Sequence, residues 1–225
     1  MHRLSTIIGG IIIGGLLIFI FEGCATDASR DMNELTAENL LARGIEKLEE
    51  NSYNSAVTAF QAIKDRYPYS KAVITAELKM AEAHYIRKDF ESAFDVYDDF
   101  ERLHPKDENI PYVMYRKGMC HFQQIKTVDR DQTPTHKAKE EFERLVKRFA
   151  KSDYADKARA KIRQCLVYLA EYELYIGDFY FKTKKYGPAL ERYMYIIKNY
   201  PDMGQYHQAL EYISKCKEKL AEAEK

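Results

Sequence analysis

From residue 34 to the end of the chain, apolar side chains recur three and four positions apart with charged or polar residues between them, the pattern of helices that bury one face. The period-two alternation that strands would need is absent. Breaks fall at Pro68, Pro105 and Pro201 and at short polar stretches, so helices are predicted over 34–50, 53–67, 71–87, 90–104, 110–125, 135–150, 153–184, 186–200 and 205–223. Proline disfavours helix at the residue before it, and Ser70, Ser152 and Asp202 stand where caps are needed after three of the breaks.

A longer period is superimposed on the helical one. Gly44, Ala56, Phe60 and Pro68 return 37 positions later as Ala81, Ala93, Tyr97 and Pro105, and reappear with the same internal spacing as Gly177, Ala189, Tyr193 and Pro201. Gly118, Ala138, Phe142 and Ala150 form another copy once eight inserted residues are allowed for. The two small residues let a pair of antiparallel helices approach closely, the aromatic residue fills space between repeats, and proline ends the second helix. Such a hairpin buries its apolar face only by stacking on its neighbours. The pattern resembles the tetratricopeptide repeat, whose period is about 34 residues; the extra residues here add about one turn (~3.6 residues) to the helix that follows. The expected fold is therefore all-α, an α-solenoid of about four tetratricopeptide-like hairpins plus a C-terminal capping helix.

Two places break the period. The eight extra residues of the third repeat fall within the polar stretch Thr127 to Thr135, which predicts an exposed loop. Between Ala150 and Gly177 the chain carries an excess of 14 residues, which at about 100° each keeps the same face inward to within about 40°. One extended helix near 153–184 follows from that. The last unit begins at Ser214, and its Lys215, Glu218, Lys219, Glu222 and Lys225 read as the solvated outer side of a cap.

The N-terminus carries a targeting signal: Arg3, then an apolar run from Thr6 to Phe21, then Gly23-Cys24. The run is short for a membrane span, which needs about 20 residues. A cysteine directly after an apolar segment and a small residue resembles the bacterial lipobox, with Phe21 and Glu22 as departures from its usual residues. The expected organisation is a signal peptide at 1–23, lipid attachment at Cys24, a flexible tether at 24–33 and the repeat domain at 34–225. Ala25 after the cysteine favours sorting to the outer membrane, on its periplasmic face. Lys+Arg and Asp+Glu are 35 each, and this balance gives no electrostatic footprint for nucleic acid. Cys120, Cys165 and Cys216 have no metal-binding spacing and read as buried packing residues.

Residues at −3, +1 and +4 from each small position share a face of the first helices: Leu41, Ile45 and Leu48; Leu78, Glu82 and Tyr85; Tyr115, Met119 and Phe122. This apolar and aromatic stripe is either a groove for an extended peptide with alternating aromatic side chains or ordinary packing between helices. Asp129, Arg130 and Asp131 form a docking loop or a solvated turn, and Arg192 lies off the buried stripe of its helix, where it reads as a docking or a surface arginine. His84 and His121 are repeat-equivalent and too far apart for one zinc, so no metal and no cofactor beyond the covalent lipid are expected. No catalytic constellation is present, and the chain reads as a non-enzyme.

Taken together, the chain resembles the BamD family of bacterial outer-membrane β-barrel assembly lipoproteins. The resemblance rests on the lipobox-like start, on Arg66-Tyr67-Pro68-Tyr69-Ser70 and Asn199-Tyr200-Pro201-Asp202, on the Asp129-Arg130-Asp131 loop, and on Leu169-Ala170-Glu171-Tyr172-Glu173 leading to Phe179-Tyr180 and Lys182. It implies a scaffold held at the membrane by acyl chains, which binds the periplasmic POTRA region of an Omp85-family barrel subunit and other assembly-machinery lipoproteins. It further implies reception of unfolded outer-membrane proteins by the N-terminal repeats. The other reading is a periplasmic tetratricopeptide adaptor for cell-wall or division complexes.

Overall fold

Nine helices make up the described residues, 35–201 and 203–223, of the computed structural model. They are α1 (Ala37–Glu49), α2 (Tyr53–Arg66), α3 (Ala72–Ile86), α4 (Phe90–Leu103), α5 (Ile110–Phe122), α6 (Thr133–Arg148), α7 (Asp153–Lys182), α8 (Tyr186–Asn199) and α9 (Tyr206–Ala223). Each starts and stops within three residues of its predicted bounds. The predicted signal peptide, Cys24 and the tether lie outside the described residues.

The repeat is written into the backbone as well as the sequence. Asn51, Lys88 and Lys184 each stand seven residues after a small position and take left-handed φ values of 59°, 65° and 60°. The N–H of Asn51 donates to Leu48 O at 3.0 Å and that of Ser52 to Lys47 O at 2.8 Å. The same two bonds recur from Lys88 and Asp89 to Tyr85 and His84, and from Lys184 and Lys185 to Phe181 and Tyr180. This pair of bonds satisfies carbonyls that a helix end would otherwise leave unpaired. Ile125 is the equivalent residue of the third repeat; it stays out of the left-handed region, and the inserted residues follow it.

Second helices also end alike. Tyr67 (φ −127°, ψ 49°), His104 (−123°, 54°), Phe149 (−131°, 48°) and Tyr200 (−130°, 51°) occupy equivalent C-cap positions. Three of them precede a proline, but Phe149 precedes Ala150 and bends identically. Proline is therefore compatible with the junction without being required for it; at the third junction the half-buried Phe149 ring packs against the core.

Consecutive helices pack against each other throughout, and first helices also touch across hairpins, α1 with α3 and α5 with α7. Within a hairpin the aromatic ring lies on the small residue. A Cβ placed on Gly177 would sit 2.7 Å from Cε1 of Tyr193, and one on Gly44 or Gly118 would come closer still to Phe60 or Phe142. The ring also reaches onward to the next unit: Tyr97 meets Tyr112 with centroids 6.3 Å apart, and Tyr193 stacks on Tyr212 at 5.2 Å.

The long helix α7, 30 residues without interruption, belongs to two apolar clusters. Its Ala158 and Cys165 close the cluster built by α3 to α6, and its Leu169 and Ala170 open the one completed by α8 and α9. Cys120, Cys165 and Cys216 are free and buried, and burial pushes the thiols of Cys120 and Cys165 up to about 12. Ser214 is exposed.

Buried ions mark two of the junctions between hairpins. Glu77 on α3 is 3% exposed and lies 3.2 Å from Lys64 Nζ on α2 and 2.8 Å from His104 Nε2 after α4. Lys117 on α5, 1% exposed, is held by Asp98 and by Glu101 at 3.1 Å, both on α4, with Glu141 of α6 at 3.8 Å.

Candidate functional site

The nine side chains predicted for the groove are all half-buried, none fully inside. On α3, α5 and α7 they join residues outside the predicted set to form an aromatic wall, with the buried Phe142 beneath Tyr115 and Phe122. Tyr115 packs on Phe142 and on Tyr154 with centroids 5.7 Å apart in both cases, Tyr154 meets Tyr112 at 5.5 Å, and Phe122 meets Tyr168 at 6.2 Å. Leu78 and Met119 pack on the same core cluster. Leu41, Ile45 and Leu48 lie on α1 and make none of these ring contacts.

Side chains from neighbouring first helices tie the wall together. Tyr112 O–H donates to Glu82 Oε1 at 2.8 Å, and Lys79 donates to Oε2 of the same carboxylate at 2.8 Å. The Gln123 amide donates to the phenol oxygen, Oη, of Tyr85 at 3.2 Å, and Tyr85 meets Phe90 edge-on at 5.2 Å. Burial, with the nearby Tyr97 and Glu82, holds the Tyr112 hydroxyl far above the ordinary phenol range, and burial raises Tyr97 to about 12. Both hydroxyls are therefore neutral hydrogen-bonding groups at physiological pH.

Arg116 is the residue that phase counting missed. It stands two before Gly118, about a quarter turn (60–120°) around the helix from the −3, +1 and +4 positions, yet its guanidinium carbon lies 3.7 Å from the centroid of the Tyr85 ring and 5.9 Å from those of Tyr97 and Tyr112. Its Nε–H donates to the phenol oxygen, Oη, of Tyr97 at 3.2 Å. Burial opposes its charge, but the surrounding tyrosines outweigh that and raise its pKa. Lys161 of α7 adds a second cation on the wall, 4.0 Å from the Phe122 centroid. Among residues so placed, only spacing across successive first helices could have flagged them.

The Asp129-Arg130-Asp131 segment is exposed, but the polar loop predicted through Thr135 is shorter than expected. Helix α6 begins at Thr133, and Gln132 and Thr135 are buried. Asp131 Oδ1 accepts from the Thr133 N–H at 3.1 Å and its O–H at 2.8 Å, while Thr135 O–H donates to Gln132 Oε1 at 2.8 Å. These bonds satisfy the first turn of α6 and draw it back by two residues. Asp129 and Asp131 are both held below the ordinary carboxyl range, by hydrogen bonds from Thr127 and Thr133 respectively. Arg130, 67% exposed, faces Asp129 at 3.5 Å. Arg192 is not a lone surface charge: its Nη1 pairs with Glu173 of α7 at 3.0 Å.

His84 and His121 have separate roles. His84 Nδ1 lies 3.1 Å from Asp89 Oδ2, and the ring of His121 rests on Phe94 with centroids 4.6 Å apart. Burial, followed by Lys137 and Lys117, lowers the pKa of His121.

Residues 33–225 match the family described as YfiO, outer membrane lipoprotein. The chain is 30% identical over 191 residues to the outer membrane protein assembly factor BamD of Caulobacter vibrioides, covering 84% of this chain and 63% of that protein. It is 30% identical over 200 residues to the protein of the same name from Rickettsia prowazekii, with 88% and 78% covered. It is also similar to the crystal structure of a tetratricopeptide repeat protein from Parabacteroides merdae, with 14% identity, a TM-score of 0.45 and 89% and 82% covered.

Proposed function

Since the chain belongs to the YfiO family of outer membrane lipoproteins, we propose that it acts in outer membrane protein assembly as a lipid-anchored scaffold that receives unfolded substrate chains. Acyl chains on Cys24 hold it at the outer membrane, facing the periplasm. The first helices offer extended peptides a wall on which aromatic side chains lie flat. The C-terminal hairpin and the Asp129-Arg130-Asp131 loop face an Omp85-family barrel subunit and other lipoproteins of the machinery.

The observation that carries the substrate reading is the set of half-buried rings, still able to make contact, in which Tyr115 meets Tyr154, Phe122 meets Tyr168, and Tyr85 is joined to Tyr112 through Arg116. Rings at this depth present an apolar face with a hydroxyl at the rim, which suits a peptide that slides in and out of a wet groove. Binding of an aromatic-rich extended peptide, followed by fluorescence anisotropy, is expected to weaken at least about tenfold in a Tyr85→Ala, Tyr115→Ala double variant that keeps its helicity. Unchanged affinity would discard the groove. Partner identity is tested separately: the lipid-processed chain, purified in detergent from envelopes, is expected to bring down an Omp85-type barrel. Release of the Cys24→Ser variant into the soluble fraction tests the anchor.

A further inference from the structure

Arg116 stands out as a charge that the molecule itself leaves open. Arg144 and Arg148 share Glu101, and Arg192 holds Glu173, each within 3.0 Å. Arg116 has no carboxylate within 4.0 Å among the described residues; Nε is taken up by Tyr97, and its face is covered by Tyr85. The acidic side chain on the same wall, Glu82, is already engaged by Tyr112 and Lys79. The edge of the guanidinium that carries Nη1 and Nη2 is thus presented from a half-buried side chain, in a fixed plane, between aromatic rings. A planar fork so held matches a carboxylate better than a point charge does.

We propose that Arg116 receives the side-chain carboxylate of an internal Asp or Glu in an extended peptide whose neighbouring aromatic residues lie on the wall. The proposal rests on the groove reading above and narrows it from aromatic peptides to aromatic peptides with an interior acidic residue. An internal residue is favoured because the wall continues on both sides of Arg116. Tyr85 and Phe90 lie toward α3 and α4, while Tyr115, Tyr154, Phe122 and Tyr168 lie toward α6 and α7. A chain that ended at Arg116 would leave one of these stretches uncovered; a chain that passes through covers both. The balanced charge of the sequence leaves long-range attraction weak, so a local ion contact is the available source of polar selectivity.

The test is a two-by-two cycle on the detergent-solubilised full chain. The probe is a C-terminally amidated, fluorescently labelled extended peptide with two aromatic residues flanking one glutamate, and its partner peptide carries glutamine at that position. The wild type is expected to bind the glutamate peptide about tenfold more tightly than the glutamine peptide, and the Arg116→Gln variant to bind both within about twofold of each other. Arg116→Lys, which keeps the charge and loses the planar fork, is expected to fall between. Equal discrimination by the wild type and Arg116→Gln would overturn the proposal, as would no discrimination by either. Indifference to the glutamate with a strong gain on replacing the amide by a free acid would also overturn it, in favour of a terminal carboxylate. The comparison of peptides on the wild type stands even if the variants lose helicity. If neither peptide binds the wild type, the groove reading falls and this proposal falls with it.

Discussion

Lys117 Nζ on α5 lies 3.1 Å from Glu101 Oε2 on α4, and Glu101 in turn receives Arg144 at 2.7 Å and Arg148 at 3.0 Å from α6. One carboxylate therefore ties three helices of two hairpins. The exposure of its partners makes the network asymmetric: Asp98 on the other side of Lys117 is 51% exposed and can rehydrate, whereas Glu101 is 11% exposed.

Removing the two ends of this pair is expected to have unequal effects. Glu101→Ala leaves Lys117, Arg144 and Arg148 without their common acceptor and should cost about 3 kcal/mol or more. Lys117→Met removes the buried charge itself, keeps much of the stem volume and leaves Glu101 its two arginines, so the loss should stay below about 2 kcal/mol. Urea denaturation followed by circular dichroism reads the difference; equal losses would mean that the network acts as isolated pairs.

Close approach, not backbone freedom, explains glycine at position 118. Gly118→Ala drives a methyl into the Phe142 ring and is expected to cost about 1–3 kcal/mol. Gly187, in the first turn of α8, has no atom within 4 Å of a built Cβ, and Gly187→Ala is expected to stabilise by about 0.4–1 kcal/mol. Thermal melts of the two variants should move in opposite directions.

Left-handed lysines end two first helices. Lys88 (φ 65°) and Lys184 (φ 60°) take a conformation that costs an ordinary L-residue roughly 1–2 kcal/mol, which glycine adopts freely. Part of that gain returns as unfolded-state entropy, so Lys88→Gly and Lys184→Gly are each expected to stabilise by up to about 1 kcal/mol. A loss of stability in both would show that the lysine side chains make a larger contribution than the backbone strain.

Asp89 should govern part of the acid response. Burial pushes its carboxyl up, but hydrogen bonds from Arg87, Ser92 and His84 outweigh that and leave it at about 2, against an ordinary 3.8. Because the folded value is the lower one, the stabilisation is present above about pH 4 and is lost as pH falls toward 2. Asp89→Asn, which can still accept at the cap of α4, is expected to cost about 1–2 kcal/mol at neutral pH and to flatten the stability profile in that window. A variant whose profile keeps the wild-type slope there would assign the acid response to other groups.

Much of the helical framework was legible because it rests on local rules. Spacing of three and four, breaks at proline and recurrence of Gly44, Ala56 and Phe60 locate every helix to within three residues, and the phase of fourteen added residues foretells the unbroken α7. The phase rule also found half-buried positions of the first helices, but it counted along single helices and so passed over Arg116, Tyr112, Tyr154 and Tyr168. The start of α6 was missed because Asp131 and Thr135 read as loop residues by composition, and only their bonds to Thr133 and Gln132 make them a helix start.

By itself the sequence determined the repeat, the helix ends and the small-against-aromatic contact, since each is set by residues close in the chain or by a fixed spacing. The tertiary structure alone decided which charges stay open. Arg192 finds Glu173, Lys117 finds Glu101, and Arg116 is left over three tyrosine rings with its outer edge free. Pairing of that kind depends on how far apart two helices sit and how each side chain leans, and a one-dimensional pattern carries neither quantity.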